Sequence, residues 1–327
     1  RWPADAVRRV AQAGPGGPVR LSCTGREGAR LIIPDPDGLR VLTEVLPNLP
    51  LQEDGSRSAW RLVLWGVSAV AAVAFIVVVA IPRFAGEIAA LVPPAWEEKL
   101  GANVSEQVVW LLAQMEDQPV ATTTCRSRAG LAALAKMEGR LAGALADDTD
   151  FRIRLIDVDL PNAFALPGGH IIVTRGMVEF AGSPEALAGV LAHEMGHSVH
   201  RHPTEALLRT AGTSFLLGLL VGDVAGGATI LAVGHHMLEA GYTREAEQAA
   251  DAFSISLLQR AEIDPRPSAD LFDRFAGDEG AEGGVLDFFA THPPSYQRAA
   301  RFREGSLGDG PEVLSPAEWR AFRDACD

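Results

Sequence analysis

Residues 183–200, SPEALAGVLAHEMGHSVH, decide how the rest of the chain is read. Ser183 suits a helix cap, and Pro184 suits the first helical position, where a missing N–H does no harm. Leu187, Val190, Leu191 and Val199 supply an apolar side, so a helix is expected. On it His193 and His197 lie one turn apart on one face, where both imidazoles can reach one ion. Glu194 is then aimed beside the ion, where it could take a proton from a water. This is the His-Glu-x-x-His pattern of zinc hydrolases, with two ligands and a general base. Five positions alone recur by chance, and a solvated face rich in His and Glu is the plain alternative. The downstream sequence weighs between the two.

A catalytic zinc needs three protein ligands and one open position. A second helix is expected from near Thr243 to about Arg260, with Ala246, Ala250, Phe253 and Leu257 on its buried side. Glu247 is the third ligand if this helix packs against the first. Asp251, four residues on, could accept a hydrogen bond from the other ring nitrogen of a zinc-bound histidine. An exposed acidic face is the alternative. Ala246, Ala249, Ala250 and Ala252 weigh against it, because small residues crowd where helices approach closely.

Around this pair the chain reads as α+β and mainly helical. Val104–Met115 and Gly130–Ala146 have helical spacing, Phe151–Val158 alternates as a strand, and His170–Thr174 is a second strand. Asn162–Gly169 between them reads as a turn. Residues 210–234 are apolar and long enough to span a membrane. Asp223 at the centre and Gly226-Gly227 favour instead a hairpin of two short helices covering the cleft. A helix around Ser268–Ala276, an acidic Gly-rich loop at 277–284 and a terminal helix Pro316–Ala325 follow.

His193-Glu194-Met195-Gly196-His197 followed by Thr243-Arg244-Glu245-Ala246-Glu247-Gln248-Ala249-Ala250-Asp251 resembles metallopeptidase family forty-eight, the HtpX-, BepA-, Oma- and Ste-type zinc endopeptidases. Asn162-Ala163-Phe164-Ala165-Leu166-Pro167-Gly168-Gly169, Arg201-His202 and Thr291-His292-Pro293 add to the likeness, which spans residues 150–300. The resemblance implies a zincin-type (gluzincin) domain with a small sheet, holding one Zn2+ per chain on His193, His197 and Glu247, with Glu194 as catalytic base. It also implies that the strand after Asn162, with Ala163 and Phe164, borders the cleft and aligns a peptide by strand addition. His292 would sit near the site and stabilise the oxyanion; a structural His-Pro turn is the alternative. A single span is unlike the multi-span CAAX branch, so prenylated substrates are not expected.

Leu62–Ile81 runs twenty residues without a charge, between Arg61 and Pro82-Arg83, the length of a transmembrane helix. The expected organisation is a small N-terminal domain of unknown role (1–60), the span (61–82) and a zinc peptidase domain (83–327). Arginines crowd the segment before Leu62, which places the N-terminus inside and the catalytic domain in the periplasm; the cytoplasmic face is the alternative. Of three cysteines, Cys125 and Cys326 could pair in an oxidising compartment, while three free buried thiols is the plainer reading. A net charge of −13 without a basic run excludes a nucleic-acid partner. The expected partners are polypeptide substrates and membrane lipid, for a membrane-anchored endopeptidase of protein quality control. A zinc-containing, chaperone-like binding module is the rival reading, although it has no need of Glu194.

Overall fold

The computed structural model describes residues 1–10, 18–34, 36–46, 48–49, 56–146, 149–209, 241–277, 296–308 and 310–327. They divide into two units, Arg1–Phe75 and Ile76–Asp327. In the first, β1 (Val7–Val10), β2 (Val19–Cys23) and β3 (Arg30–Ile33) form an antiparallel sheet in that order. Val7, Val19, Leu21 and Leu49 make its small core, with Arg20 facing out between Val19 and Leu21 as the two-residue period of a strand requires. β1 escapes sequence reading because Val-Arg-Arg-Val shows no alternation. Helices α1 (Pro36–Val45) and α2 (Ser56–Phe75) complete the unit.

No helix among the described residues is long and apolar enough to cross a membrane. The run 62–81, expected as one span, is divided. Its first part ends α2, which begins with the polar Ser56, Arg57 and Ser58. The remainder forms a π-helical segment, Ile76–Ala80, and the start of α3 (Ile81–Leu91). Pro82 supplies the physical reason. It lacks the N–H that would bond the carbonyl four residues before it, so the regular helical ladder gives way there.

The second unit is layered. α4 (Pro94–Met115), α5 (Val120–Thr123) and α6 (Arg128–Ala142) precede a sheet of β4 (Arg152–Ile156), β5 (Ala163–Leu166) and β6 (His170–Thr174). The sheet order is β4-β6-β5, with β4 parallel and β5 antiparallel to β6. Residues 163–166 are thus a strand, as the resemblance implies, where the residues by themselves read as a turn. Four apolar residues between Asn and Pro-Gly-Gly carry too little pattern to show it. The turn itself is Pro167–Gly169, with φ of +69° and +80° at Gly168 and Gly169. Side chains alternate between the two faces. Leu155, Ala163, Ile171 and Val173 join one core with the helices after the sheet, whereas Ile156, Phe164, Leu166 and Ile172 meet Val104, Val108 and Leu112 of α4.

Helices α7 (Arg175–Ala181) and α8 (Pro184–Val199), a helical stretch at 202–209, α9 (Arg244–Arg260), α10 (Arg266–Gly277), α11 (Tyr296–Glu304) and α12 (Pro316–Arg323) follow. Cys125 and Cys326 form a disulfide, which corrects the reading of three free thiols; Cys23 alone is free, and buried.

Candidate metal centre

α8 and α9 both start on a side-chain cap. Ser183 Oγ accepts from the Ala186 N–H at 3.1 Å and Thr243 Oγ1 from the Ala246 N–H at 3.2 Å. The helices close over Gly196, where a Cβ would stand 3.1 Å from the Ala250 Cα, and Ser254 Oγ donates to the Gly189 carbonyl at 3.0 Å. That close approach brings Glu247, in the first turn of α9, against the histidine face of α8.

The Nε2 atoms of His193 and His197 lie 3.0 Å apart. Glu247 reaches the first through Oε2 at 3.6 Å and the second through Oε1 at 3.4 Å. All three side chains are buried, and their donor atoms fall within 4.8 Å of one another. Glu194, between the histidines, is 0% exposed.

Each donor is held from behind. Asp251 Oδ1 stands 3.1 Å from His193 Nδ1, as the spacing predicts, so that nitrogen carries the proton and Nε2 keeps its lone pair. Burial alone would raise the Asp251 pKa, but Arg298 and His193 outweigh it and hold the carboxyl below its ordinary value. His197 Nδ1 lies 3.0 Å from His202 Nδ1. Burial and neighbouring His200 lower the His202 pKa to about 4. His202 is therefore neutral, and in the tautomer where its Nδ1 accepts the His197 Nδ1 proton, His197 Nε2 is left bare. Two bare imidazole nitrogens and a buried carboxylate converging on one point suit a zinc ion.

Two contributors were not foreseen. Arg298, buried on α11, binds Asp251 through Nε and Nη2 at 2.9 and 2.7 Å and meets Glu247 Oε2 with Nη1 at 3.0 Å. Nothing in YQRAARFRE distinguishes it from Arg301 or Arg303. Tyr242 stacks on the His197 ring at a centroid distance of 3.9 Å, and its hydroxyl donates to the Ala165 carbonyl at 3.4 Å. Burial first, then the charges of Glu194 and Glu247, push its pKa well above 10.0, so the phenol keeps its proton. Its one signal is its place directly before the Thr243 cap.

Tyr242 also locates β5 relative to the centre. β5 is an edge strand of its sheet, and among the described residues no strand pairs with its outer side. The Asn162 carbonyl accepts from the Thr174 N–H at 3.1 Å, and Ala163 is registered with Val173. By the alternation of an antiparallel ladder, Phe164 and Leu166 bond inward to β6, and Ala163 and Ala165 turn their backbone groups outward. Asn162 is buried, with Oδ1 accepting the outward Ala163 N–H at 2.8 Å. The Phe164 side chain points to the α4 face, away from α8. His292 and the hairpin expected at 210–234 lie outside the described residues.

A histidine pair one turn apart, completed by a glutamate from a second helix, is the donor set of a zincin-like metallopeptidase. The model of peptidase family M48 matches residues 132–305, and the chain belongs to that family. It is similar to the mitochondrial metalloendopeptidase OMA1 of Schizosaccharomyces pombe, 32% identical over 163 residues, covering 48% of this chain and 47% of the relative. It is also similar to the beta-barrel assembly-enhancing protease of Escherichia coli K12, 27% identical over 183 residues, covering 52% and 37%. A third relative, metalloprotease YcaL of the same strain, is 30% identical over 157 residues, covering 44% and 57%. The chain thus spans about half or less of the length of the first relatives it matches.

Proposed function

We propose that this protein is a zinc-dependent endopeptidase that hydrolyses peptide bonds of unfolded or misassembled polypeptides at a membrane. The convergence of His193, His197 and Glu247 within 4.8 Å, with buried Glu194 on the same helix, carries the reading. These three residues hold one zinc ion, which when bound supplies a Lewis acid for the scissile carbonyl and an acidified water. Glu194 takes the proton of the attacking water and passes it to the leaving amine. Asp251 and His202 fix the ring tautomers that point both Nε2 atoms at the metal. The substrate lies along the outer edge of β5, pairing with the outward groups of Ala163 and Ala165. His292, in Thr-His-Pro, stabilises the oxyanion.

The apolar residues of 62–81 support a membrane anchor: Leu62, Trp65 and Val70 of α2 are 71%, 72% and 70% exposed, suited to lipid rather than water. The Cys125–Cys326 disulfide supports an oxidising compartment for the catalytic unit, the periplasm or an intermembrane space. Protease added to intact spheroplasts should then digest residues 83–327 and spare the N-terminal region; the opposite pattern moves the site to the cytoplasm.

The test of the catalytic reading is zinc content with casein cleavage. Wild type should carry one zinc and cleave. Glu194→Gln should keep zinc and fold yet lose roughly three or more orders of magnitude in turnover, whereas Glu247→Ala should lose metal and activity together. Near-normal cleavage by Glu194→Gln, or full zinc in Glu247→Ala, overturns the assignment.

A further inference from the structure

The Ala165 carbonyl turns to the outer edge of β5, yet it already has a donor. Tyr242 reaches it with its hydroxyl while its ring lies flat on His197. A peptide adding to β5 needs that same acceptor for one of its own N–H groups. At 3.4 Å the phenol already engages that acceptor, so a substrate N–H has to compete with it there. We propose that Tyr242 is a displaceable cap on the substrate-pairing edge: it occupies the Ala165 carbonyl until a substrate main-chain N–H replaces it. The proposal rests on the strand-addition reading above.

The cap explains how an apolar edge strand avoids pairing with whatever extended chain arrives. Asn162 does the same one pair earlier, since its Oδ1 accepts the outward N–H of Ala163. A competing segment must therefore make a run of contacts before it gains over the side chains already there. Tyr242 is in this sense a positioning residue that discriminates among substrates, and with its ring against His197, yielding the carbonyl requires only that the phenolic O–H rotate away about its C–O bond.

The test uses the full-length zinc-loaded protein and a quenched fluorescent peptide taken from a casein cleavage site. Tyr242→Phe keeps the ring on His197 and removes only the competing O–H. Its KM should fall about twofold to fivefold, the size of one long hydrogen bond, with kcat within about twofold and zinc content unchanged. An unchanged or raised KM, or a kcat loss of about tenfold, overturns the cap. A series of the same peptide carrying one N-methylated amide at a time separates the two readings. If one N-methyl position raises KM sharply and Tyr242→Phe gains nothing on the parent peptide, strand addition stands and the cap fails. If no N-methyl position matters, the strand-addition reading itself fails, and the cap with it. If one does matter, that peptide should lose the advantage of Tyr242→Phe, because its methylated nitrogen no longer competes for the carbonyl.

Discussion

The α8–α9 contact and the α6–α12 contact both join helices distant in sequence, and both close over a glycine. A Cβ on Gly196 would meet Ala250, and one on Gly130 would stand 2.3 Å from the Ala325 Cβ. Beyond that they differ in kind. Between α8 and α9 lie His193, Glu194, His197, Glu247 and Asp251, with Arg298 inserted from α11, all buried. Charged groups so far from water are costly unless each finds an opposite charge or a metal. Between α6 and α12 the contacts are Ala133, Met137, Phe322 and Ala325, tied beneath by Cys125–Cys326 and bridged at the surface by Lys136 and Glu318. The first contact gives up stability to place reactive groups, and the second restores it where nothing reacts. Damage to the two should therefore separate: activity before stability in the first, stability without activity in the second.

The largest effect is expected at Arg298. Removing its charge with Arg298→Met leaves Asp251 and Glu247 buried beside each other, which should cost about 3–5 kcal/mol of stability. Arg298→Lys is the sharper probe, because it keeps the charge and loses the fork that grips Asp251. It should retain most of the stability while kcat/KM falls roughly tenfold or more, the usual consequence of loosening a group that orients a metal ligand. Equal loss of stability and activity in Arg298→Lys would erase the distinction between the contacts.

Next in size is the disulfide. The bond closes 201 residues of chain, a loop for which chain entropy alone gives about 5 kcal/mol; measured losses usually fall short of that, so Cys125→Ser with Cys326→Ser should cost about 3 kcal/mol. Melting temperature should drop by roughly 6–12 °C. At 25 °C peptide cleavage should stay within about twofold of wild type, because neither cysteine touches the metal centre. A large loss of kcat at a temperature where the variant is folded would mean the two contacts are coupled.

What was legible in the sequence follows the same division. His193, His197, Glu247 and Asp251 are readable because each pair is a local, one-turn spacing on a helix with its own cap. Arg298 is not, since its contacts lie 47 residues away at Asp251 and 105 at His193. The strand Ala163–Leu166 was legible only through the family resemblance: read by themselves, four residues between turn formers look like part of the turn, and pairing with Ile171 and Ile172 makes them a strand. Pairing of Cys125 with Cys326 is likewise a property of the closed α6–α12 contact. In the 62–81 segment the strong local pattern hides a change of helical type, since the regular helix through Phe75 passes into the π-helical Ile76–Ala80.

The smallest expected effect lies on the surface of the stable contact. Glu318 closes the capping box of α12, receiving the Ser315 N–H at 2.7 Å and, from the same residue, the hydroxyl at 2.9 Å. Lys136 of α6 binds both its oxygens, at 2.8 and 2.7 Å. Lys136 first, then the Ser315 bonds, pull its pKa from 4.5 down to about 2. A carboxyl with a depressed folded pKa contributes stability that is complete above its unfolded value and disappears as pH falls through the folded one. Glu318→Gln should therefore melt slightly below wild type at pH 7, and the gap should shrink progressively below about pH 4.5 to vanish near pH 2. The difference will be small, because exposed pairs are screened and salt should shrink it further. Melting curves of both proteins across that range decide the matter. A gap that stays constant from pH 7 down to pH 2 would show that Glu318 titrates alike in the folded and unfolded chain and that Lys136 contributes nothing to holding α12 against α6.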